Sequence, residues 1–274
     1  MIRIISKSMI TRYILPYLSK AKRGFVCKGP LWEIVNAILY KFKTGIQWNL
    51  LPCKSLILSN NIKHGAIYHH FNKWSKDGSW HRAWINLLKQ TRHLLDLSLV
   101  ALDGTHSLAK RGGQQVAFQH RRKAKTTNAL WLTDRLGNVV AFFPPISGHH
   151  NDLYGLPKQL DLVVQQLKQS HISVEGWFLN ADAGFDSITF RNTCLKHGIW
   201  LNCPHNRRRA KQLENDLPLF DELMYQQRFV IERTNAWMDN YRSLLLRFDT
   251  SISSWTAWHY IFSILFWIKR FKKV

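Results

Sequence analysis

Acid is what this sequence has least of. Among 274 residues, 17 Asp and Glu stand against 39 Lys and Arg, giving a formal charge of +22 and a pI near 10.2. Solubility needs net charge but not this one-sidedness, so the imbalance points to a polyanionic partner, with nucleic acid ahead of an anionic membrane surface or a ribosome. From Met1 to Lys76 there are 13 basic residues and a single acid, Glu33, and no acid at all lies between Asp103 and Asp134. Two separate basic surfaces are implied. Cysteine is scarce too, at positions 27, 53, 194 and 203 without paired spacing, which excludes a disulfide framework and implies reduced thiols in a cytosolic protein. Arg3, Lys7 and Arg12 interrupt the apolar residues of the N-terminus, so no signal peptide is read there. The C-terminal "ISSWTAWHYIFSILFWIKRF" has an uninterrupted apolar part shorter than the roughly 20 residues of a bilayer span, and it reads as a buried helix and not an anchor. Internal repeats and low-complexity linkers are also missing.

With 46% apolar residues the chain has enough to bury a core. "LWEIVNAILYKFKTG" carries apolar residues at 31, 34, 35, 38, 39 and 42, a helical period closed by Gly45. "HGAIYHHFNKWSKDG" predicts a second helix and "SWHRAWINLLKQTRHLL" a third, with Ser79 as N-cap. Such basic helices on tight turns suit either a helix-turn-helix DNA-binding unit or a helical cap on the adjoining domain. After residue 95 the pattern changes. "LSLVALDG", two β-rich runs about a turn at Arg135 to Asn138, "VEGWFLNADAGF" and "GIWLNCP" predict strands, interleaved with helices over "LYGLPKQLDLVVQQLKQS" and "SITFRNTCLKHG". That order predicts a mixed α/β sheet covered by helices.

The few acids fall at telling places. Asp103 and Asp182 each end a predicted strand, with glycine one or two residues later to turn the chain away, which leaves both carboxylates at the sheet rim where α/β ligands bind. In "YQQRFVIERTNAWMDNY", helical spacing puts Tyr225, Arg228, Glu232 and Asp239 on one polar stripe, so Glu232 supplies a third carboxylate. Three clustered carboxylates repel one another unless they bind a hard divalent cation, and a pair of magnesium ions about 4 Å apart activates the attacking oxygen and stabilises the leaving oxygen of a phosphodiester. Asp186 reads as the cap of the helix starting at Ser187, and Asp152 as either a support of the site or a helix start. Cys194, His197, Cys203 and His205 have the residue types of a zinc site but irregular spacing.

In their order these motifs resemble the bacterial insertion-sequence transposases of the DDE superfamily, in the branch with the signature Tyr-x2-Arg-x3-Glu-x6-Lys. "YQQRFVIE" matches at Tyr225, Arg228 and Glu232, "LVALDGTH" and "LNADAGFDS" resemble the two acidic strands, and "LWEIVNAILYKFKTGIQWNLLP", "HFNKWSKDGSW" and "SGHHNDLYGL" match further family stretches. Two features depart from it: Asp239 replaces the signature lysine, and the 49 residues between Asp182 and Glu232 leave no room for a large β insertion. The resemblance implies an RNase H-like catalytic domain over 96–274, preceded over 1–95 by a small all-helical DNA-binding domain. It implies Asp103, Asp182 and Glu232 as catalytic ligands of Mg2+, with Mn2+ able to substitute. Tyr225 and Arg228 would hold DNA phosphates, joined as DNA contacts by Arg233, Arg242, Arg121, Arg122, Lys123 and Lys125. The expected substrate is double-stranded DNA, the terminal inverted repeats of the element and a target site, engaged by a homodimer or larger assembly in the bacterial cytoplasm, with no membrane partner. A decayed or domesticated DNA-binding protein and a nuclease without strand transfer are the alternative readings.

Overall fold

The computed structural model describes residues 1–20, 27, 29–58, 62–206 and 218–270. From the N-terminus come helices α1 (Lys7–Tyr13), α2 (Leu31–Thr44), α3 (Cys53–Leu56), α4 (His64–Lys76) and α5 (Ser79–Thr91). Strands β1 (Val100–Ala109), β2 (Ala117–Gln119), β3 (Ala124–Asp134), β4 (Val139–Phe142) and β5 (Ile146–Ser147) come next, then α6 (Leu156–Gln169), β6 (Phe178–Asn180), α7 (Ile188–Lys196) and β7 (Trp200–Asn202). Last come α8 (Glu222–Gln226), α9 (Val230–Met238), α10 (Arg242–Leu245), β8 (Leu246–Arg247) and α11 (Ile252–Arg270). These elements form two compact units that are not consecutive stretches: Met1–Leu87 with Leu108–Gln114 and Met238–Val274, and Leu88–Ser107 with Gln115–Trp237.

The first unit is helical. α2 buries Ile34, Val35, Ile38, Leu39 and Phe42 on one stripe and stops at Gly45, whose left-handed backbone (φ 69°) closes the last turn. Glu33, the lone acid of this region, is buried and accepts the Leu58 backbone N–H at 3.2 Å, so it serves the fold and not a ligand. Asn36 ties down the N-terminal segment, accepting from Ile4 N and donating to the Ile2 carbonyl. α11 is buried from Trp255 to Ile268 apart from Thr256 and Tyr260, with Ile261, Phe262, Ile264 and Leu265 each contributing about 1.5–3 kcal/mol of burial. It closes a core, and among the described residues no helix is long and apolar enough to cross a membrane. One expectation fails here. Ser79 lies inside α5, and the carboxylate of Asp77 accepts its N–H at 2.9 Å, because an Asp two residues ahead reaches a free first-turn donor as well as an N-cap serine does.

In the second unit the sheet order is β2-β3-β1-β6-β7, with β4 and β5 added on β3. β1, β6 and β7 run parallel, Val100 opposite Leu179 and Leu179 opposite Leu201, while β2, β4 and β5 pair antiparallel with β3. α6 packs a helical stripe of Leu156, Leu160, Val163, Val164 and Leu167 inward. The mixed α/β sheet with helices, preceded by helices, is the predicted fold class.

Candidate active site

β1 does not end at Asp103, as the sequence suggested, but runs on to Ala109. Gly104 is therefore not a turning point. A Cβ there would sit 2.7 Å from Asp152 Oδ1 and 3.0 Å from Leu130 Cδ2, so the missing side chain is what lets the Asp152 carboxylate lie against the backbone next to Asp103. Asp152 itself does not start a helix. α6 begins four residues later with Gly155 as N-cap, and Asp152 accepts a short hydrogen bond from Asn128 Nδ2 on β3.

Asp182 stands two residues beyond β6, where its Oδ1 accepts the Gly184 N–H at 2.8 Å and caps the short turn Ala183–Phe185. The segment bearing Glu232 is anchored to the same strands by two buried asparagines. Asn202 donates to Asn180 Oδ1 and to the Asp221 carbonyl, accepts Asp221 N–H, and Asn180 donates to the Met224 carbonyl, all at 2.7–2.9 Å. From that anchor the chain does not run as one helix to 241. α8 ends at Gln226, a 3-10 turn covers Gln227–Phe229, and α9 ends at Met238, so Asp239 falls outside the helix and off the stripe. No ion pair among the described residues ties Asp239 to Arg242.

Arg228, on the 3-10 turn, meets two of the acids. Its Nη1 lies 3.7 Å from Asp103 Oδ1 and its Nη2 3.4 Å from Glu232 Oε1, while its guanidinium lies 5.8 Å from the Tyr225 ring centre. Asn235 on α9 donates to Asp103 Oδ2 at 3.0 Å. Asp103 is only 22% exposed, and burial pushes its pKa up to about 6; Arg228 and the Gly104 N–H oppose that rise, and the Asp182 and Asp152 charges add to it. Asp103 thus feels the charges of both Asp152 and Asp182. The three do not form a closed cage: among the described residues no three His, Cys, Asp or Glu side chains converge closely enough to hold a metal together. Glu232, 63% exposed, is spent on Arg228.

Three buried polar atoms around Asp103 lack a hydrogen-bond partner, Arg228 Nη1, Asn128 Oδ1 and Asn235 Oδ1. Orphaned amide oxygens beside crowded carboxylates form a hard-oxygen donor set, which fits a divalent cation such as Mg2+. Sequence reasoning missed both asparagines. Asn235 was within reach, one helical turn after Glu232, whereas Asn128 becomes visible only through the β3 pairing.

The basic candidates are spread over several elements. Arg121, Arg122 and Lys123 lie exposed on the turn between β2 and β3 with Lys125 just beyond, and the charges of Arg121 and Arg122 help lower the pKa of His106, whose largest cause is burial. Arg233 donates to the Leu136 carbonyl at 3.0 Å and covers Trp237, and Arg242 opens α10 in the other unit. The cap assigned to Asp186 fails because that carboxylate pairs with Arg191 at 2.9 Å, leaving Ser187 as N-cap. The zinc residues are not gathered into a site among the described residues: Cys194 and Cys203 are buried thiols, Cys203 donates to the Asp182 carbonyl and His197 meets Asp161 at 2.6 Å.

The strand order, with β1, β6 and β7 parallel and β2 antiparallel on β3, is that of an RNase H-like mixed sheet. A family model described as "Transposase DDE domain" matches residues 95–267, and one described as "transposase of IS4/5 family" matches residues 11–84. The chain belongs to the DDE transposases of insertion sequences. It is therefore a DNA transposase of a family that uses a divalent metal. Among solved structures it is similar to the Mos1 transposase paired-end complex with left transposon end, at 14% identity over 87% of this chain and 78% of that one with a TM-score of 0.30. It is also similar to the piggyBac transposase synaptic complex with hairpin DNA, at 12% identity over 95% and 70% with a TM-score of 0.46. Both likenesses are loose and add nothing to the family assignment. No curated protein matches.

Proposed function

We propose that this transposase binds the terminal inverted repeats of its own element, hydrolyses a phosphodiester at each end and joins the freed 3′-hydroxyl to target DNA. Residues 1–95 serve as the DNA-binding domain and 96–274 as the catalytic domain. The observation that carries the reading is Arg228, whose guanidinium touches both Asp103 and Glu232 and so gathers the first and third acids of the motif set about one cation. Asp103 and Asp182 would hold Mg2+, with Glu232 completing the set once its carboxylate leaves Arg228. The metal supplies Lewis-acid activation of the attacking oxygen and charge neutralisation at the leaving one.

The protein's own residues do the rest. Asn235 and the Gly104 N–H fix the Asp103 carboxylate, and the Gly184 N–H fixes Asp182, so neither must be ordered during the reaction. Arg228, released from the acids, offers a planar fork to a phosphate, with the Tyr225 hydroxyl beside it. Arg121, Arg122, Lys123 and Lys125 hold the backbone. Hydrolysis adds water across one P–O bond and frees a 3′-hydroxyl; transfer makes that hydroxyl attack a target phosphodiester and releases a target 3′-hydroxyl. A homodimer or larger assembly would pair two ends.

Replacing Asp103, Asp182 or Glu232 with Ala should abolish cleavage of end-containing duplex while gel-shift binding survives. Full cleavage by the Asp182→Ala protein sinks the assignment, and a precleaved end that is never joined leaves a nuclease.

A further inference from the structure

The helical unit contains a cavity of about 1000 Å³ that the catalytic reading does not use. Its wall is the outer end of an aromatic stack. Phe71 and Trp258, both fully buried, stack at 4.2 Å and 19°; Trp48 continues the column at 6.2 Å and 21° from Trp258, and Tyr68 leans on Trp48 at 5.3 Å. Trp48 and Tyr68 line the cavity, and Tyr68 is 44% exposed. Phe248, another lining residue, is 47% exposed. The rings are buried at Phe71 and Trp258 and partly exposed at Tyr68, so the cavity wall offers aromatic surface to a flat partner.

The polar groups narrow what that partner is. Lys41 reaches the lining with its ammonium over both Trp48 and Trp258, at 5.7 and 5.8 Å, and Asp249 lines the cavity close enough to act on its charge. Both are held within the fold, Lys41 donating to Ser243 Oγ at 3.4 Å and Asp249 accepting the Trp258 Nε1–H at 3.0 Å, so they fix the rings in place and leave the exposed aromatic faces to the ligand. Arg111 and His64 line the cavity as well, where they can meet phosphates flanking such a base. At Gly65, in the first turn of α4, nothing lies within 4 Å of where a Cβ would stand, so a strand can come close to the backbone. Stacking on aromatic faces beside cations is how proteins hold unpaired bases.

We infer that this cavity holds one unpaired base of the DNA strand, extruded from the duplex or freed at a broken end, and that it is a second DNA site separate from the carboxylates. The inference rests on DNA being the substrate and not on the assignment of the catalytic acids.

The test uses the full chain with two duplexes of equal length, one fully paired and one with a single unpaired 2-aminopurine. The wild-type protein should bind the second about tenfold or more tightly and quench its fluorescence by stacking. Tyr68→Ala and Phe248→Ala, both partly exposed positions, should each lose most of that preference and the quench while keeping affinity for the paired duplex, and Tyr68→Phe should restore them. Asp182→Ala should keep the quench, which separates this site from failure of the catalytic proposal. Equal affinity for the two duplexes without quenching overturns the inference. So does an equal loss on both duplexes in Tyr68→Ala, which would make the ring a general backbone contact, and so does displacement of the strand by free mononucleotide at micromolar concentration.

Discussion

The sharpest consequence of the Asp103 geometry is that removing this carboxylate should stabilise the metal-free protein. Burial raises the Asp103 pKa from 3.8 to about 6, and that interval corresponds to about 3 kcal/mol. The attraction of Arg228 is already inside the net figure, and at 22% exposure the side chain is little screened by solvent. A folded pKa above the unfolded one means a contribution fully present below pH 3.8 and lost as pH rises through 6. At neutral pH the fold therefore carries an ionised group it would rather keep protonated. Asp103→Asn removes the charge and keeps an acceptor for Asn235. In EDTA at pH 7.5, urea unfolding followed by circular dichroism should show the variant more stable by about 1–3 kcal/mol, with the advantage shrinking below about 1 kcal/mol near pH 4. A variant less stable than the parent at pH 7.5, or an advantage that does not change with pH, refutes the reasoning.

Other perturbations probe the frame around the site. Gly104→Ala puts a Cβ 2.7 Å from Asp152 Oδ1, and calorimetry should find a loss of about 1–3 kcal/mol, since the neighbours are a packed strand and a hydrogen-bonded carboxylate. Arg191→Met takes the 2.9 Å partner from the largely buried Asp186 carboxylate and leaves it the Asn206 N–H, and chemical denaturation at pH 7 should show a loss of about 3 kcal/mol. His259 is buried and its pKa is pushed from 6.5 down to about 4 by that burial. Its contribution is complete above pH 6.5 and lost as pH falls toward 4, by about 3 kcal/mol, so a pH series of unfolding curves for His259→Leu should lack that part of the acid slope.

What the sequence disclosed, and what it hid, depends on how local each cause is. α2 and its Gly45 stop were legible because a 3.6-residue stripe and a left-handed cap are properties of 15 neighbouring residues. The candidate acids could be singled out because the Asp-Gly and Asp-x-Gly stretches and the Tyr-x2-Arg-x3-Glu spacing are local as well. Three errors share the opposite character. Asp186 as a cap was defeated by Arg191 and by the Asn206 N–H that its other oxygen accepts, the latter 20 residues away. The end assigned to β1 after Gly104 was defeated by Leu108 and Ala109, which pair with Leu246 and Arg247. The unbroken helix from 225 to 241 was defeated at its front by the asparagine anchor on β6 and β7, which fixes Asp221 and Met224 before α9 begins.

Charge connects these pieces to function. A chain with so great an excess of base binds DNA readily, but the same field must not fill its own acidic site with lysine or arginine permanently. Arg228 occupies that position on terms that can be reversed. Its contacts with Asp103 and Glu232 are long, an ion pair from Nη1 at 3.7 Å without a hydrogen bond and a hydrogen bond from Nη2 at 3.4 Å. Asp103 by contrast is fixed by Asn235 and the Gly104 N–H, which stay in place if the arginine moves. On the proposed reading, a divalent cation would bring twice the charge of the guanidinium to these carboxylates, and a DNA phosphate would give the displaced guanidinium a better acceptor than the solvent-exposed Glu232. Metal and DNA would then each favour the other's arrival, since one takes the acids from Arg228 and the other takes Arg228 from the acids.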